Sequence, residues 1–162
     1  MGQMEFAEFY GTERDRCLRA VLAVVGDRPL AEDLVAEAFT RAWTGWSKVR
    51  RHPAPRAWVV RTALNLRVSW WRRLRREVAL GEADDVPVAG ADPGVDPRLL
   101  ALLRGLPPRQ REVIVFRVLL DLDTEQTARA LGMARGTVTA HLSRAVAALR
   151  AQLVTEPGEG GS

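Results

Sequence analysis

The chain has 162 residues, of which 47% are hydrophobic and 27% charged, a balance typical of globular proteins rather than of membrane or disordered chains. It has no run of about 18 apolar residues and no basic-then-apolar leader, so we expect a cytoplasmic protein without membrane insertion. The single cysteine, Cys17, excludes an internal disulfide, and with only two histidines no Cys/His zinc site can be assembled, so we expect neither a metal nor a cofactor.

The net charge of +4 conceals blocks of opposite sign. Residues 1–40 are net negative, whereas residues 41–76 contain ten Arg, Lys48 and no Asp or Glu, a net charge of +11. Residues 77–97 hold six acidic residues and no basic one. A block as basic as 41–76 repels itself unless a polyanion neutralises it, and nucleic acid is the usual polyanion. These residues therefore predict a nucleic-acid-binding surface, with a solvated charged face as the alternative.

Apolar residues recur at helical spacing and no convincing strand pattern appears, which predicts an all-α fold. In the first half, the spacing predicts helices at residues 5–25, 30–46 and 55–76. In the second half, it predicts helices at residues 97–105, 108–120, 124–131 and 135–153.

Between the two halves, residues 82–97 combine Pro, Gly and acids without any aromatic residue, which is typical of a linker. We therefore predict two small helical domains, 1–78 and 98–154, joined by a flexible acidic linker at 79–97. A disordered tail is predicted at 155–162.

The helix predicted at 30–46 carries two neighbouring lines of side chains at i, i+4 spacing. The apolar line is Leu34, Ala38 and Ala42, and the polar line is Asp33, Glu37 and Arg41. Such a helix can pack inward and still present charge to a partner.

The next helix combines tryptophans with arginines, since Trp58, Trp70 and Trp71 lie among several Arg residues. This combination suits single-stranded nucleic acid, because bases stack on aromatic rings and guanidinium groups hold phosphates. Burial is nevertheless the usual environment of a tryptophan, and we assign Trp43 and Trp58 to the core.

In the second half, residues 123–150 have the pattern of a helix-turn-helix. Asp123 and Gln126 fit a capping box, and Gly132 marks the turn. The following helix has an apolar stripe, namely Val138, Leu142, Ala145 and Leu149. Its other face is small and polar, with Arg135 at the leading end followed by Gly136, Thr137, Thr139, Ala140, Ser143 and Arg144. That face can enter a DNA major groove; a plain helical hairpin is the alternative.

Three motifs resemble, in order, parts of the extracytoplasmic-function sigma factors of the sigma-70 family. AEDLVAEAFTRAW at 31–43 resembles region 2.2, AWVVRTALNLRVSWWRR at 57–73 region 2.4, and the stretch from Leu106 to Arg150 the whole of region 4. The run SWWRRLRREV is most similar to an actinobacterial branch of that family.

The resemblance implies a non-enzymatic protein that binds core RNA polymerase, at its clamp coiled coil and flap, and promoter DNA. Asp33, Glu37 and Arg41 would contact the clamp, and the loop at 46–56 would capture a base flipped from the melted minus-ten element. Contacts to that strand would come from Arg51, His52, Arg56, Arg61, Asn65, Arg72 and Arg73. The helix at 135–149 would read the minus-thirty-five element. The family further implies a monomer when free and an anti-sigma factor as a possible partner.

The chain departs from the family pattern at four positions. Ala36 replaces the usual Gln, Thr127 a core aliphatic residue, Thr139 a frequent Lys and His141 a frequent Arg. The last two remove basic contacts from the recognition helix, so the promoter sequence does not follow from the resemblance.

Two other classes of protein were weighed. A stand-alone helix-turn-helix regulator would explain the second half but leaves residues 31–76 without a role. A metal-dependent hydrolase built on Glu32, Asp33 and Glu37 is disfavoured, because adjacent residues do not share a helix face and no nucleotide-binding or hydrolase motif is present.

Overall fold

The computed structural model describes residues 2–79 and 94–155, except for the side chains of residues 2, 4, 70, 71, 73–79 and 155. Over these residues the chain is helical and has no strand, which confirms the all-α prediction. It divides into two compact units, Met1–Gly94 and Val95–Ser162. Most of the predicted linker and tail, at 80–93 and 156–162, lies outside the described residues.

The described part of unit 1 forms four helices: α1 (Gly2–Val25), α2 (Arg28–Thr44), α3 (Trp46–Val49) and α4 (Pro55–Ala79). The three long helices pack against one another, and α3 contacts both α1 and α2. The predicted helices match α1, α2 and α4 to within three residues at each end. The short α3 lies where the sequence suggested only a loop. No helix in the part of the chain described here is long and apolar enough to span a membrane.

The core of unit 1 combines a few branched side chains with many alanines. Its most deeply buried large residues are Val21, Leu34, Val59 and Val60. Fully or almost fully buried alanines lie on every long helix, namely Ala20, Ala31, Ala38, Ala42, Ala57 and Ala63. Because alanine adds little bulk, the backbones of the three helices can approach closely along these lines.

Cys17 belongs to this core and is fully buried on α1. Burial raises the pKa of its thiol to about 12, and the neighbouring Glu13 carboxylate adds to the rise. Since the thiolate is the reactive form, this cysteine is chemically inert in the folded chain.

Unit 2 contains α5 (Pro97–Arg104), α6 (Pro108–Ile114), a π-helical segment (Val115–Leu119), α7 (Thr124–Leu131) and α8 (Arg135–Thr155). The helix predicted at 108–120 thus forms over its whole length, but its second half is wound more widely. The amide of Leu120 donates to the carbonyl of Val115 at 3.1 Å, five residues back. Asp121 then ends the segment with a positive φ of 53°.

The core of unit 2 lies between α6, α7 and α8, which pack against one another. Its most deeply buried side chains are Val113, Phe116, Leu120, Leu131 and Val138. Arg111 closes the end of α5, since its guanidinium donates to the carbonyls of Leu103 at 2.8 Å and Leu106 at 3.0 Å. The Leu103 carbonyl, near the end of α5, thus accepts from Arg111 as well as from the Leu106 amide at 3.1 Å.

Thr127 on α7 is fully buried, and its hydroxyl has no hydrogen-bond partner among the described residues. Valine has nearly the same shape without the polar group. We therefore expect Thr127→Val to raise the free energy of unfolding of unit 2 by about 1 kcal/mol. In a thermal melt this corresponds to a midpoint about 4–8 °C higher for a domain of this size.

Thr139→Val is the matched control in the same unit, because the exposed Thr139 hydroxyl donates to the carbonyl of Arg135 at 3.1 Å. This variant is expected to show no gain. A midpoint for Thr127→Val at or below that of Thr139→Val would contradict the explanation from an unpartnered hydroxyl.

Candidate nucleic-acid interface and docking face

The polar line predicted on α2 lies on the side of the helix that faces away from the core. Asp27 caps the helix, accepting a hydrogen bond from the Leu30 amide at 3.1 Å. Asp33 and Arg41 are exposed and Glu37 is half-buried. The Nε of Arg41 lies 3.4 Å from Oε1 of Glu37, one turn away. We call Asp33, Glu37 and Arg41 the docking face of α2.

Asp33 has an unfavourable electrostatic environment for its charge. Partial burial raises the pKa of its carboxyl, and the carboxylates of Glu32 and Asp27 raise it further. A raised pKa means that the charged form is disfavoured in the folded chain. A cationic partner would relieve this cost. Perturbed pKa values of this kind are common at binding sites.

An aromatic cluster joins α1, α2 and α3. Its members are Phe6, Phe9, Tyr10, Phe39, Trp43 and Trp46. The ring centroids of Phe6 and Trp43 are 5.0 Å apart, and those of Phe6 and Trp46 are 5.4 Å apart. The assignment of Trp43 to the core is wrong, because 45% of this residue is exposed at the rim of the cluster.

One face of α4 presents a continuous stripe of partly or fully exposed side chains. Its members follow one another every three or four residues: Trp58, Arg61, Asn65, Val68 and Arg72. Trp58 and Arg61 are half-buried, so Trp58 is only partly enclosed by the core. Val68 is 58% exposed and was not among the predicted site residues. We call this set the α4 stripe.

The other residues predicted to hold the melted strand differ in their exposure and in their partners. Arg51 and His52 are exposed in the turn before α4. Arg56 lies in the first turn of α4, and its guanidinium is paired with Glu13 of α1. The side chain of Arg73 lies outside the described ones, as do those of Trp70 and Trp71.

In unit 2 the helix-turn-helix is formed as the sequence predicts. The Asp123 carboxylate accepts from the Gln126 amide at 2.7 Å, and the Gln126 side chain accepts from the Asp123 amide at 3.0 Å. Gly132 then adopts a left-handed conformation with φ of 64°, which glycine reaches without steric cost. The capping box and the glycine turn are both confirmed.

The outer face of α8 is accessible to a partner. The exposed residues on it are Arg135, Gly136, Thr137, Thr139, Ser143 and Arg144, and Ala140 is half-buried. Val138 and Ala145 of the predicted apolar stripe are fully buried, whereas Leu142 and Leu149 are half-buried. A methyl group added at Gly136 would meet no atom within 4 Å, so this end of the helix is open.

His141 lies between the two faces of α8. It is half-buried, and its Nδ1 atom finds no hydrogen-bond partner within the described part of the chain. No group of three or more His, Cys, Asp or Glu in the described residues is arranged to hold a metal ion.

Comparison with known proteins gives two family matches that together cover most of the chain. The model described as sigma-70 region 2 matches residues 9–77, and that described as sigma-70 region 4 matches residues 97–149. The RNA polymerase sigma-E factor of Streptomyces coelicolor is 37% identical over 158 residues, covering 95% of this chain and 89% of that protein. The sigma factor SigL of Mycobacterium tuberculosis is 33% identical, covering 83% of this chain and 81% of that protein.

Solved structures share the fold. The sigma factor RpoE of Bartonella quintana, in complex with the anti-sigma factor NepR, aligns with a TM-score of 0.74 at 23% identity, covering 94% of this chain and 98% of that one. CnrH, in complex with the cytosolic domain of CnrY, aligns with a TM-score of 0.64 at 23% identity, covering 95% of this chain and 90% of that one.

Proposed function

The chain belongs to the sigma-70 family of RNA polymerase sigma factors, and we propose that it binds core RNA polymerase and directs it to a specific set of promoters. The observation that carries this proposal is the pairing of two different nucleic-acid surfaces in one chain. Unit 1 presents the basic and aromatic α4 stripe, and unit 2 presents the small, open face of α8. A stand-alone regulator would need only the second of these surfaces.

The two surfaces suit different forms of DNA. The α4 stripe combines Trp58 with Arg61 and Arg72, a composition that serves base stacking and phosphate contact on a single strand. The outer face of α8 is a helix surface of small side chains, which serves a duplex major groove. We assign the stripe, with Arg51 and His52, to the melted minus-ten strand and α8 to the minus-thirty-five element.

The docking face of α2 is assigned to the clamp coiled coil of the polymerase. Its two carboxylates are directed outward from a rigid, capped helix, and the raised pKa of Asp33 favours a cationic partner. Charge complementarity of this kind sets orientation and association rate. Binding energy from the three contacts drives promoter opening, so the proposal includes no cofactor and no catalytic step.

The protein works in the cytoplasm, where the polymerase and the chromosome are. An anti-sigma factor is a further partner within this proposal, because RpoE, which shares the fold, forms a complex with the anti-sigma factor NepR. Its identity would follow from the genomic neighbour of the gene or from affinity capture.

The test is to mix the purified chain with bacterial core RNA polymerase, separate the mixture by gel filtration, and transcribe a pool of promoter fragments. Co-elution with new, promoter-specific transcripts is expected. Binding to duplex DNA without association with polymerase would reject the proposal in favour of a stand-alone regulator.

A further inference from the structure

The segment of residues 50–56, which connects α3 to α4, is attached to α1 at both of its ends. At the first end, Nη1 of Arg50 lies 3.3 Å from Oε2 of Glu5, and both side chains are about half exposed. At the second end, Nε and Nη2 of Arg56 lie 2.5 and 2.9 Å from the two carboxylate oxygens of Glu13. Two acidic residues of α1 thus hold the two arginines at the ends of the segment.

The two attachments differ in strength. The Arg50 pair has a single contact in solvent, and such pairs contribute little. The Arg56 pair is bidentate, and only 25% of the Arg56 side chain and 14% of the Glu13 side chain are exposed. A planar guanidinium bound by both oxygens fixes direction as well as distance. Glu13 therefore holds the first turn of α4 against α1.

Inside the segment, four backbone amides donate hydrogen bonds. The amides of Arg50, Arg51 and His52 donate to the carbonyls of Trp46, Lys48 and Val49 at 2.9, 3.1 and 3.0 Å. The Ala54 amide donates to Nδ1 of His52 at 3.0 Å, and positions 53 and 55 are prolines without an amide hydrogen. The segment consequently has one well-defined shape, from which the side chains of Arg51 and His52 project into solvent.

We propose that Glu13 is a positioning residue for promoter opening: through its bidentate pair with Arg56 it holds the 50–56 segment in the shape that presents Arg51 and His52 to the melted strand. The guanidinium of Arg56 then serves the protein rather than a phosphate. This inference rests on the proposed function and adds to it a residue on α1, a helix that the family resemblance leaves without a role in DNA binding. A preformed segment binds more tightly because less ordering is needed at the moment of contact.

The sign of one substitution separates positioning from simple electrostatics. Glu13→Gln removes a negative charge from a DNA-facing unit, so long-range electrostatics alone predicts tighter DNA binding. Loss of positioning predicts the opposite. For Arg56, a direct phosphate contact on single-stranded DNA would contribute about 0.7 to the slope of log affinity against log salt. A positioning role leaves this slope unchanged.

The experiment uses polymerase holoenzyme made with the full chain and a promoter fragment recovered from the transcription pool. Promoter opening is read at several salt concentrations from a fluorescent base analogue in the minus-ten region. We expect Glu13→Gln and Arg56→Gln each to reduce opening about fivefold with a wild-type salt slope. Glu8→Gln, which removes an exposed carboxylate from the same helix, is the matched control and should open at least as well as wild type.

Reversal of the pair tests the contact itself. Glu13→Arg combined with Arg56→Glu keeps the net charge and is expected to recover most of the opening that either single change loses. The proposal is overturned if Glu13→Gln opens promoters as well as wild type, if only Arg56→Gln is defective and its salt slope falls by about 0.7, or if the reversed pair opens no better than the single variants.

Amide hydrogen exchange on the free chain provides a readout that needs neither polymerase nor DNA. In Glu13→Gln the amides of Arg51, His52 and Ala54 should exchange faster, while those in the middle of α2 keep their wild-type protection. Unchanged exchange in the segment would also reject the inference. Failure of wild-type co-elution with polymerase would instead reject the proposed function, so the two failures are distinguishable.

Discussion

Replacing Asp33 and Glu37 together by alanine is expected to weaken the binding of core RNA polymerase about 100-fold. The reason is the outward direction of both carboxylates on α2, together with the electrostatic cost that Asp33 carries in the free chain. Charged pairs buried in an interface are commonly worth about 2–5 kcal/mol, and a 100-fold loss corresponds to about 2.8 kcal/mol. Fluorescence anisotropy of a labelled chain titrated with core polymerase measures the change.

The pKa of Asp33 supplies a control against loss of folding. Because the pKa of the Asp33 carboxyl is raised in the folded state, its ionisation lowers the free energy of unfolding as the pH rises from its pKa in the unfolded chain to its pKa in the folded chain. Asp33→Asn should therefore melt at the same temperature as wild type or higher at pH 7, while binding polymerase more weakly. The double variant Glu8→Ala with Asp15→Ala removes two exposed carboxylates from α1 and should bind normally. Equal losses in both double variants would refute the docking face.

Arg135→Ala is expected to reduce the affinity of the holoenzyme for duplex DNA containing the minus-thirty-five element by about tenfold. Arg135 is exposed at the leading end of α8, beside the open position at Gly136. A side chain in this place meets base edges when the helix enters the major groove, and a good base contact is worth about 1–3 kcal/mol. A smaller effect of the same kind is expected for Thr139→Ala.

Arg150→Ala is the matched control, because Arg150 is an exposed arginine on the same helix about 22 Å away along its axis. It should leave recognition of the minus-thirty-five element unchanged. Both arginine variants should co-elute with polymerase as wild type does. A parallel loss of polymerase binding and promoter recognition in Arg135→Ala would contradict the assignment of separate surfaces to the two tasks.

The long helices could be predicted because periodic burial is repeated over several turns. Leu34, Ala38 and Ala42 on α2 are all buried at the spacing that the sequence displays. The four-residue α3 is too short to show such a period. The apolar residues of the π-helical segment, which include the buried Phe116, are equally compatible with an α-helix, so its wider winding could not be predicted from their spacing.

The outer face of α8 was predictable for the same reason, since buried Val138 and Ala145 leave only one direction for the small polar side chains. The roles of the arginines in the basic block 41–76 were harder to predict. Counting charges identifies its arginines but does not show whether each one contacts a phosphate or a carboxylate of the protein itself. Arg56 is paired with Glu13, which lies 43 residues away in the sequence. Trp43 was misassigned because large apolar residues are usually buried, whereas this one lies at the rim of a cluster of rings.

The inertness of Cys17 makes the native chain a convenient substrate for thiol labelling. The native chain's only thiol is buried and protonated at neutral pH. A cysteine introduced at the exposed Ser47 of α3 would therefore be the one group to react with a maleimide dye. No cysteine-free background would have to be constructed. Energy transfer from that dye to a second dye on promoter DNA would then follow, in single molecules, the approach of unit 1 to the strand as it separates.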